Sequence, residues 1–346
     1  MKLSIIIVNY NVKYYLEQCL NSILASGTVF DYEIIVVDNN SSDQSVAYLR
    51  SRFNQPNIRY IQNNSNPGFA KANNQAIRQA KGEYLLLLNP DTVVGENVLQ
   101  NVIHFFEQNK NAGAIGVKMI NGYGKFLPES KRGVPSPWVS FCRISGLQSL
   151  FPKSKIFGRY NLLYLNNNSV HQVPILAGAF MMIRRTVIDK TGMLDEDFFM
   201  YGEDIDLSFR IEQAGYKNYY LPEKILHYKG ESTDKNNIKY IKAFYEAMTI
   251  FYKKHYADSN ILFSSIICKM IDCKLYLSKK KKRHEKSKTE KQTITFDSSL
   301  MSYQDIIEKM EQSSSQNIQF LIYSPQTNIS IGTKTIIHHS DNVSRK

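Results

Sequence analysis

Five short apolar runs rich in β-branched residues constrain the fold of this chain more than any other feature. The runs are residues 4–8, 33–37, 58–61, 84–88 and 114–117, and helix-like stretches separate them at 12–25, 44–53, 70–80 and 97–109. The runs show little alternation between polar and apolar residues, which is typical of strands buried on both faces of a parallel sheet. The sequence therefore predicts a doubly wound α/β domain, whose ligands bind beyond the carboxyl ends of the strands.

Polar clusters follow three of these runs directly, where the predicted strands end. They are Asn9-Tyr10-Asn11, Asp38-Asn39-Asn40 and Asn89-Pro90-Asp91. If a nucleotide binds at these strand ends, Tyr10 can lie against its base, and Asp38 can accept hydrogen bonds from a uracil or thymine imide or from a ribose. The structural alternatives are an ordinary polar turn, and a helix cap formed by Ser42 or Asp43.

Asp91 follows four leucines, at positions 85–88, and so stands just outside a buried strand. Mg²⁺ and Mn²⁺ prefer hard oxygen ligands and keep several waters, so one or two carboxylates plus diphosphate oxygens can hold either ion. The alternative is that Asn89-Pro90-Asp91-Thr92 forms a turn and starts a helix.

The second half of the chain is less regular. Prolines interrupt residues 118–170, which we interpret as an insertion with short helices that forms a mobile flap over the site. Beyond it the pattern predicts a strand at 174–184, a loop at 195–201, a helix at 203–214, a strand at 217–221 and a helix at 236–256.

Acidic residues open the predicted helix at 203–214, and a lone histidine, His227, follows the next strand. Glu203 and Asp204 can serve a proton-transfer step, because the helix dipole keeps a carboxylate ionised and ready to accept a proton. The alternative is that the dipole alone explains acids in a first turn. A structural role is likewise the alternative for His227.

The chain is basic, with 43 Lys+Arg against 31 Asp+Glu and a net charge of +12, which indicates an anionic partner. Residues 261–277 fit an amphipathic surface helix, and a basic run follows at 279–288. Together they favour attachment to an anionic membrane surface, with a solvated linker as the alternative. Nucleic acid is not expected as a partner, because the basic run lacks interleaved aromatic residues.

The location of the protein also follows from the sequence. The four cysteines are scattered, the first apolar run is too short for a signal peptide, and no apolar run has the roughly 18 residues of a membrane span. We therefore expect a cytoplasmic protein that attaches peripherally to the inner face of the cell membrane.

Taken in order, the motifs resemble those of the family-2 glycosyltransferases, and most closely their bacterial rhamnosyltransferase-like branch. The motifs occupy residues 6–11, 37–43, 66–74, 88–92, 176–181, 192–207 and 227–232. The resemblance covers roughly residues 3–255. It implies a GT-A fold with a mainly parallel central sheet, to which this chain adds a C-terminal amphipathic and basic extension.

The resemblance also implies a division of the chain and a role for each motif. Residues 1–117 would be the nucleotide-sugar-binding half, 118–258 the acceptor-binding and catalytic half, 259–292 the amphipathic helix and basic linker, and 293–346 a tail of unassigned role. The implied donor nucleotide contacts are Val8, Tyr10, Asp38, Asn40, Gly68, Phe69, Asn73 and Asn89. The implied acceptor contacts are Gly178, Ala179, Asp195 and Tyr201.

Metal binding and catalysis are implied by the same resemblance. Asp91 matches the last acid of the family's Asp-x-Asp, and His227 matches a histidine that completes the coordination of Mg²⁺ or Mn²⁺ in some members. Asn89 replaces the first acid, which leaves one carboxylate for the cation. Asp204 matches the catalytic base, with Glu203 beside it.

The expected reaction is therefore the inverting transfer of a sugar from a nucleotide diphosphate to a hydroxyl of a saccharide or lipid-linked saccharide. Deoxythymidine-diphosphate rhamnose is the first donor to test. Three rival functions are a nucleotidyltransferase, a processive synthase and a sugar-nucleotide-binding scaffold without turnover. A nucleotidyltransferase is disfavoured because residues 8–13 contain no glycine for a phosphate loop. A processive synthase is disfavoured because the single tryptophan, Trp138, is not in a Gln-x-x-Arg-Trp motif. A scaffold without turnover is disfavoured because Asp91, Asp204 and His227 are all present.

Overall fold

The structure is a computed structural model that describes residues 1–231, 238–256, 292–315 and 318–339. A nine-stranded sheet with helices on both faces forms its main body. The strands are β1 Leu3–Asn9, β2 Tyr32–Asp38, β3 Ile58–Gln62, β4 Tyr84–Leu88, β5 Thr92–Val94, β6 Ala112–Ile120, β7 His171–Gln172, β8 Phe180–Arg184 and β9 Lys217–His227. The helices are α1 Lys13–Ala25, α2 Ser45–Arg50, α3 Phe69–Ile77, α4 Val98–Gln108, α5 Pro137–Ser145, α6 Leu147–Leu150, α7 Arg185–Thr191, α8 Glu203–Gln213 and α9 Ile238–His255.

The strand order of this sheet is β3-β2-β1-β4-β8-β6-β9-β5, with β7 beside β9. Strands β1 to β4, β6 and β9 run in one direction, while β5, β7 and β8 run against it. The chain builds β2 and β3 on one side of β1 and then crosses to β4 on the other. The strand order therefore reverses between β1 and β4, which is where ligands bind in open α/β sheets.

Both faces of the sheet are buried, because successive side chains of a strand point to opposite faces. Ile5 and Ile7 of β1 belong to the apolar cluster that includes α1 and α4. Ile6 and Val8 belong to the cluster on the other face, which includes α3 and α8. The near-continuous apolar runs of the sequence are explained by this double burial, and the predicted α/β fold with a mainly parallel sheet is confirmed.

The structure differs from the sequence-based expectation in four places. Only Phe180–Arg184 of the predicted 174–184 strand forms one, and it runs antiparallel between β4 and β6. The strand predicted at 217–221 continues to His227 past register shifts against β6. Strand β5 was not predicted, because three residues are too few to show a periodicity. Strand β6 continues to Ile120, so the expected domain boundary at 117 falls within a strand.

A second, four-stranded sheet follows the main body and packs against it. Its strands are β10 Gln292–Asp297, β11 Ile318–Ser324, β12 Ile329–Gly332 and β13 Thr335–His338, and one helix, α10 Tyr303–Gln312, joins the first two. In this part of the chain the sequence alone predicts a helix at 303–310 and a strand at 318–323, which correspond to α10 and β11. We call these elements the C-terminal unit.

Apolar and charged contacts fix the C-terminal unit to the main sheet. One buried cluster contains Ile307 of α10 and Ile331 of β12 together with Leu226 of β9. Beside it, Glu311 of α10 forms ion pairs with Lys118 of β6 and with Lys224 of β9, the latter at 3.0 Å. The tail is therefore packed on the strand that leads to His227.

The amphipathic stretch 261–277 and the basic run 279–288 lie outside the described residues. Within the described ranges, no helix combines the length and the apolar character that crossing a membrane requires.

We predict that Ile307→Ala lowers the free energy of unfolding by about 2–5 kcal/mol, because it leaves a cavity in the cluster between the two sheets. The matched control is Ile336→Ala on β13, where the side chain is 39% exposed and the loss should stay within about 0.5 kcal/mol. Urea denaturation of both variants gives the comparison. Equal, small losses would contradict the packing of α10 on the main sheet.

Candidate active site

A cavity of about 480 Å³ opens at the carboxyl ends of β1 and β4, where the strand order reverses. Its volume lies in the range of small-molecule and cofactor sites. Most of the predicted site residues line it, namely Val8, Tyr10, Phe69, Asn89, Asp91, Gly178, Ala179, Tyr201, Glu203, Asp204 and His227. The fold thus brings motifs from both halves of the chain together around one space.

Asp91 and His227 meet because β5 pairs antiparallel with the end of β9. Thr92 lies opposite His227 in that pairing, and the N–H of Tyr228 donates to the Asp91 carbonyl oxygen at 3.0 Å. The His227 Nε2 atom lies 3.3 Å from Asp91 Oδ1 and 3.4 Å from Asn89 Nδ2. The short unpredicted strand β5 therefore builds the contact between the two predicted metal ligands.

The electrostatics of this pair suit a divalent cation. Burial alone would raise the pKa of the Asp91 carboxyl, but His227 and the backbone N–H of Lys229 outweigh that effect and lower the pKa below its ordinary value. Asp91 is therefore ionised at neutral pH. The His227 Nδ1 atom is buried without a hydrogen-bond partner in the described part of the chain, and a bound ligand satisfies such an atom.

The protein side chains at this position are too few to hold a cation alone. The described residues contain no group of three or more His, Cys, Asp and Glu side chains able to hold a metal ion. Mg²⁺ and Mn²⁺ take six ligands and accept phosphate oxygens readily. Asp91 and His227 therefore fit a cation that shares its coordination shell with a bound diphosphate.

Asp204, which lines the same cavity, is held in place by Arg132, Gly178 and Ile205. The Arg132 guanidinium donates to Asp204 Oδ2 at 2.5 Å and to the Leu176 carbonyl oxygen at 2.6 Å. The N–H of Gly178 also donates to Oδ2, at 3.0 Å, and the N–H of Ile205 donates to Oδ1, at 2.8 Å. A carboxylate offers about four acceptor positions, so Oδ2 is filled while Oδ1 keeps one position for another donor.

The Arg132 side chain is itself largely buried. Burial alone would lower the pKa of its guanidinium, but the charge of Asp204 more than compensates and the pKa is raised. Arg132 therefore stays charged and keeps the Asp204 carboxylate oriented.

Glu203, beside Asp204, is in a different electrostatic state. Burial, and then the negative charge of Asp204, raise the pKa of the Glu203 carboxyl from 4.5 to about 8. Its Oε2 atom is buried and has no partner among the described residues. At neutral pH Glu203 is therefore mainly a neutral acid, which can donate a hydrogen bond to a ligand in the cavity.

Gly202 allows helix α8 to start at this position. Its φ is 109°, and a Cβ there would lie 2.9 Å from ring carbons of Phe198. Its carbonyl oxygen accepts from the N–H of Asp206 at 2.8 Å, so the acidic residues fall in the first helical turn. The Asp206 carboxylate binds Arg210 and His255, each at 2.7 Å, and serves the structure.

Five predicted site residues do not line the cavity, and two of them, Asp38 and Asn40, lie at the end of β2 and in the loop after it. The Asp38 carboxylate accepts hydrogen bonds from Asn9 Nδ2 at 2.7 Å and from Ser41 Oγ at 2.6 Å. Asn40 is exposed with a φ of 62°. These residues shape the turn next to Tyr10, and Asn39 between them reaches the cavity instead.

The other three support loops next to the cavity. A Cβ on Gly68 would lie 2.6 Å from the Phe199 carbonyl oxygen, so glycine permits this close approach. Asn73 is buried and donates to the Phe69 carbonyl oxygen at 2.9 Å. Asp195 forms an ion pair with Lys254 of α9. All three hold segments that place Phe69 and Tyr201.

Five further cavity residues carry charge or aromatic surface and were not predicted, namely Glu129, Arg132, Arg143, Tyr160 and Lys229. Four of them come from the insertion, where the sequence shows no periodicity. The Arg143 guanidinium lies 4.0 Å from the centre of the Tyr160 ring, and Lys229 forms an ion pair with Glu129. Lys229 stands within the recognised motif at 227–232, which is the one signal that pointed to it.

The sequence and the fold are both similar to those of known glycosyltransferases. A family model described as glycosyl transferase family 2 matches residues 4–192, more than half of the chain. The chain is 28% identical over 261 residues to an N-acetylglucosaminyl-diphospho-decaprenol L-rhamnosyltransferase of Mycobacterium tuberculosis, covering 72% of this chain and 83% of the relative. It is also 28% identical over 235 residues to the rhamnosyltransferase WbbL of Escherichia coli, covering 65% and 82%.

Among solved structures, the chain resembles a mannosyltransferase from Pyrobaculum calidifontis in complex with GDP-Man and Mn²⁺. The TM-score is 0.54 at 16% identity, covering 82% of this chain and 76% of that one. At this identity the likeness shows the fold alone, which is the GT-A fold.

We predict that Glu203→Gln changes how stability depends on pH. A carboxyl whose pKa rises from 4.5 to about 8 on folding stabilises the protein fully below pH 4.5, and this contribution is lost as the pH rises to about 8. The wild type should therefore lose thermal stability between pH 5 and pH 8 relative to Glu203→Gln. The control is Glu246→Gln at an exposed site on α9. Parallel melting curves for Glu203→Gln and wild type at every pH would contradict the raised pKa.

Proposed function

The chain belongs to glycosyltransferase family 2, whose members use nucleotide-sugar donors, and we propose that it transfers a hexose to a saccharide hydroxyl by a single inverting displacement. One observation carries this proposal. The ionised carboxylate of Asp91, the imidazole of His227 and the oriented carboxylate of Asp204 line the same cavity. That arrangement supplies one group for a leaving diphosphate and another for an attacking hydroxyl.

In the proposed complex the nucleoside lies at the ends of β1 and β2. Val8 and Tyr10 border this part of the cavity together with Asn39 and Asn66. Asp38 remains a proposed contact to the nucleobase or ribose, and binding there requires exchange of the hydrogen bond from Ser41.

The diphosphate lies next to Asp91 and His227 in this proposal. These two residues would hold Mg²⁺ or Mn²⁺ together with diphosphate oxygens, and the bound cation would neutralise charge on the leaving diphosphate. Lys229 lines the cavity beyond them, where its ammonium adds positive charge near the same oxygens. Asn89 contacts the imidazole of His227 and keeps it in place.

The acceptor lies on the side of Asp204, Gly178 and Ala179. Oδ1 of Asp204 takes the proton of the acceptor hydroxyl as its oxygen attacks C1 of the sugar and the bond from C1 to the diphosphate breaks. Oδ2 remains bonded to Arg132 and Gly178, so the carboxylate keeps its orientation during the transfer. Glu203, as a neutral acid, donates a hydrogen bond to a sugar hydroxyl.

The donor and acceptor are proposed from the relatives. The names of two of them specify rhamnosyl transfer, and one of those names specifies an acceptor on a diphosphate-linked polyprenol. We therefore propose deoxythymidine-diphosphate rhamnose as the donor and a lipid-linked saccharide of surface polysaccharide synthesis as the acceptor.

We predict that Asp204→Asn lowers the rate of sugar transfer by about 10²- to 10⁴-fold, because an amide cannot take the acceptor proton. The measurement is turnover across a panel of nucleotide sugars with Mg²⁺ or Mn²⁺, with calorimetric binding of the donor in parallel. Donor binding should be retained. Asp197→Asn, at an exposed site in the loop before α8, is the matched control and should keep full activity. Full turnover of Asp204→Asn, or silence of the wild type with every donor, would refute the proposed reaction.

We predict that Asp91→Asn raises the Mg²⁺ or Mn²⁺ concentration needed for half-maximal turnover at least about 10-fold, because it removes the one carboxylate proposed as a ligand. The matched variant Asn89→Asp adds a second carboxylate and should lower that concentration. Metal titrations at saturating donor give both values. Turnover of the wild type in excess chelator would contradict the metal assignment and leave the base assignment intact.

A further inference from the structure

The insertion carries an exposed apolar surface that the proposed reaction does not use. Trp138, Leu150, Phe151 and Ile156 are 42%, 73%, 52% and 59% exposed. They are four of the twelve exposed large apolar side chains in the described part of the chain, and they fall within one short segment. Single exposed apolar residues are ordinary, whereas a cluster indicates a binding surface.

Contacts between rings make this surface continuous. Trp138 and Phe141 of α5 stack with their centroids 5.8 Å apart, and Phe157 lies 6.2 Å from Trp138 and 5.5 Å from Phe151. The turn that carries Phe151 and Ile156 is closed by backbone hydrogen bonds, including Gly158 N–H to the Ser154 carbonyl oxygen at 2.9 Å. The apolar side chains are thus held outward on ordered backbone.

The charged residues of this segment all have one sign. No Asp or Glu occurs between Glu129 and Asp189. Within this stretch Lys153, Lys155 and Arg159 are exposed next to Phe151 and Ile156. We call the four apolar residues and these three basic residues the insertion patch. A surface of aromatic and aliphatic side chains that carries these exposed cations complements an anionic interface with an apolar layer behind it.

The insertion patch also lies next to the active site. Arg143, between Trp138 and Leu150 in sequence, and Tyr160, directly after Arg159, line the cavity together with Asn161. The N–H of Gly133, next to Arg132, donates to the Tyr160 carbonyl oxygen at 2.9 Å. A surface bound at the patch would therefore adjoin the side of the cavity assigned to the acceptor.

We propose that the insertion patch docks the protein onto a bilayer containing anionic phospholipid, with Trp138, Leu150, Phe151 and Ile156 entering the interface and the lysines contacting headgroups. This inference rests on the proposed function only in the reason for docking, which is to bring the cavity to a lipid-linked acceptor. Membrane binding itself is testable without any sugar donor. A protein partner is the alternative occupant, and the experiment separates the two.

Trp138 is the single tryptophan of the chain and lies inside the patch, so its fluorescence reports on this surface directly. The experiment adds phosphatidylcholine vesicles, with or without phosphatidylglycerol, to the full-length protein and follows Trp138 emission and co-sedimentation. We expect a blue shift, protection from acrylamide quenching and co-sedimentation with the phosphatidylglycerol vesicles. Absence of binding by the wild type would overturn the proposal and favour a protein partner.

Two sets of variants locate the contact. The triple variant Leu150→Ser, Phe151→Ser, Ile156→Ser and the double variant Lys153→Gln, Lys155→Gln should each weaken vesicle binding by about 10-fold or more. The matched controls replace exposed residues elsewhere, Val29→Ser with Leu300→Ser and Lys81→Gln with Lys110→Gln. They should bind as the wild type does.

The basic run at 279–283 needs a variant of its own in this experiment, because its lysines also attract anionic lipid. Its glutamine variant, in the full-length chain, should retain the blue shift of Trp138. The proposal would be overturned if this variant alone lost vesicle binding and if vesicles did not change the Trp138 emission of the wild type.

Activity separates this proposal from the proposed reaction. The patch variants should retain turnover of a water-soluble acceptor and lose turnover of a vesicle-embedded acceptor. If the wild type binds vesicles through the patch but turns over no donor, the reaction assignment fails and the docking surface stands.

Discussion

A sheet that is apolar on both faces can carry a charged group only where a partner compensates its charge, and the site depends on that constraint. An unpaired charge within the sheet would lose its hydration, and the two strands at the reversal of strand order, β1 and β4, contain no charged residue. At the carboxyl end each buried ion has a partner, Asp91 with His227 and Asp204 with Arg132. The chemistry is therefore concentrated where the strand order reverses.

The ion pair between Arg132 and Asp204 joins two parts of the chain that lie 72 residues apart. Both side chains are mostly buried, and removing one partner from such a pair leaves an uncompensated charge. Arg132 also donates to the Leu176 carbonyl oxygen, which fixes the segment leading to Gly178. The insertion is consequently part of the wall that orients the proposed base.

The sequence predicted what periodicity and local motifs encode. The first strands, the helices between them and the groups at their carboxyl ends follow from apolar runs and turn residues. Strand β5 escaped prediction because its three residues show no period, yet its pairing with β9 creates the contact between Asp91 and His227. Arg132 escaped because its partner is distant in sequence, and strands β12 and β13 of the C-terminal unit escaped because they have only four residues each.

The C-terminal unit has a consequence for the proposed metal site, which has a single carboxylate. The hydroxyl of Tyr228, next to His227, lies 2.7 Å from Gln18 Oε1 and 3.2 Å from the Ile331 carbonyl oxygen. Tyr15 of α1 donates to the Gly332 carbonyl oxygen at 2.9 Å. The end of β9 is thus held between the main body and the added sheet. Binding is weakened by every group that must first be ordered. Because His227 is already held in place, less affinity for the proposed cation is lost in ordering it, which partly offsets the absence of a carboxylate at Asn89.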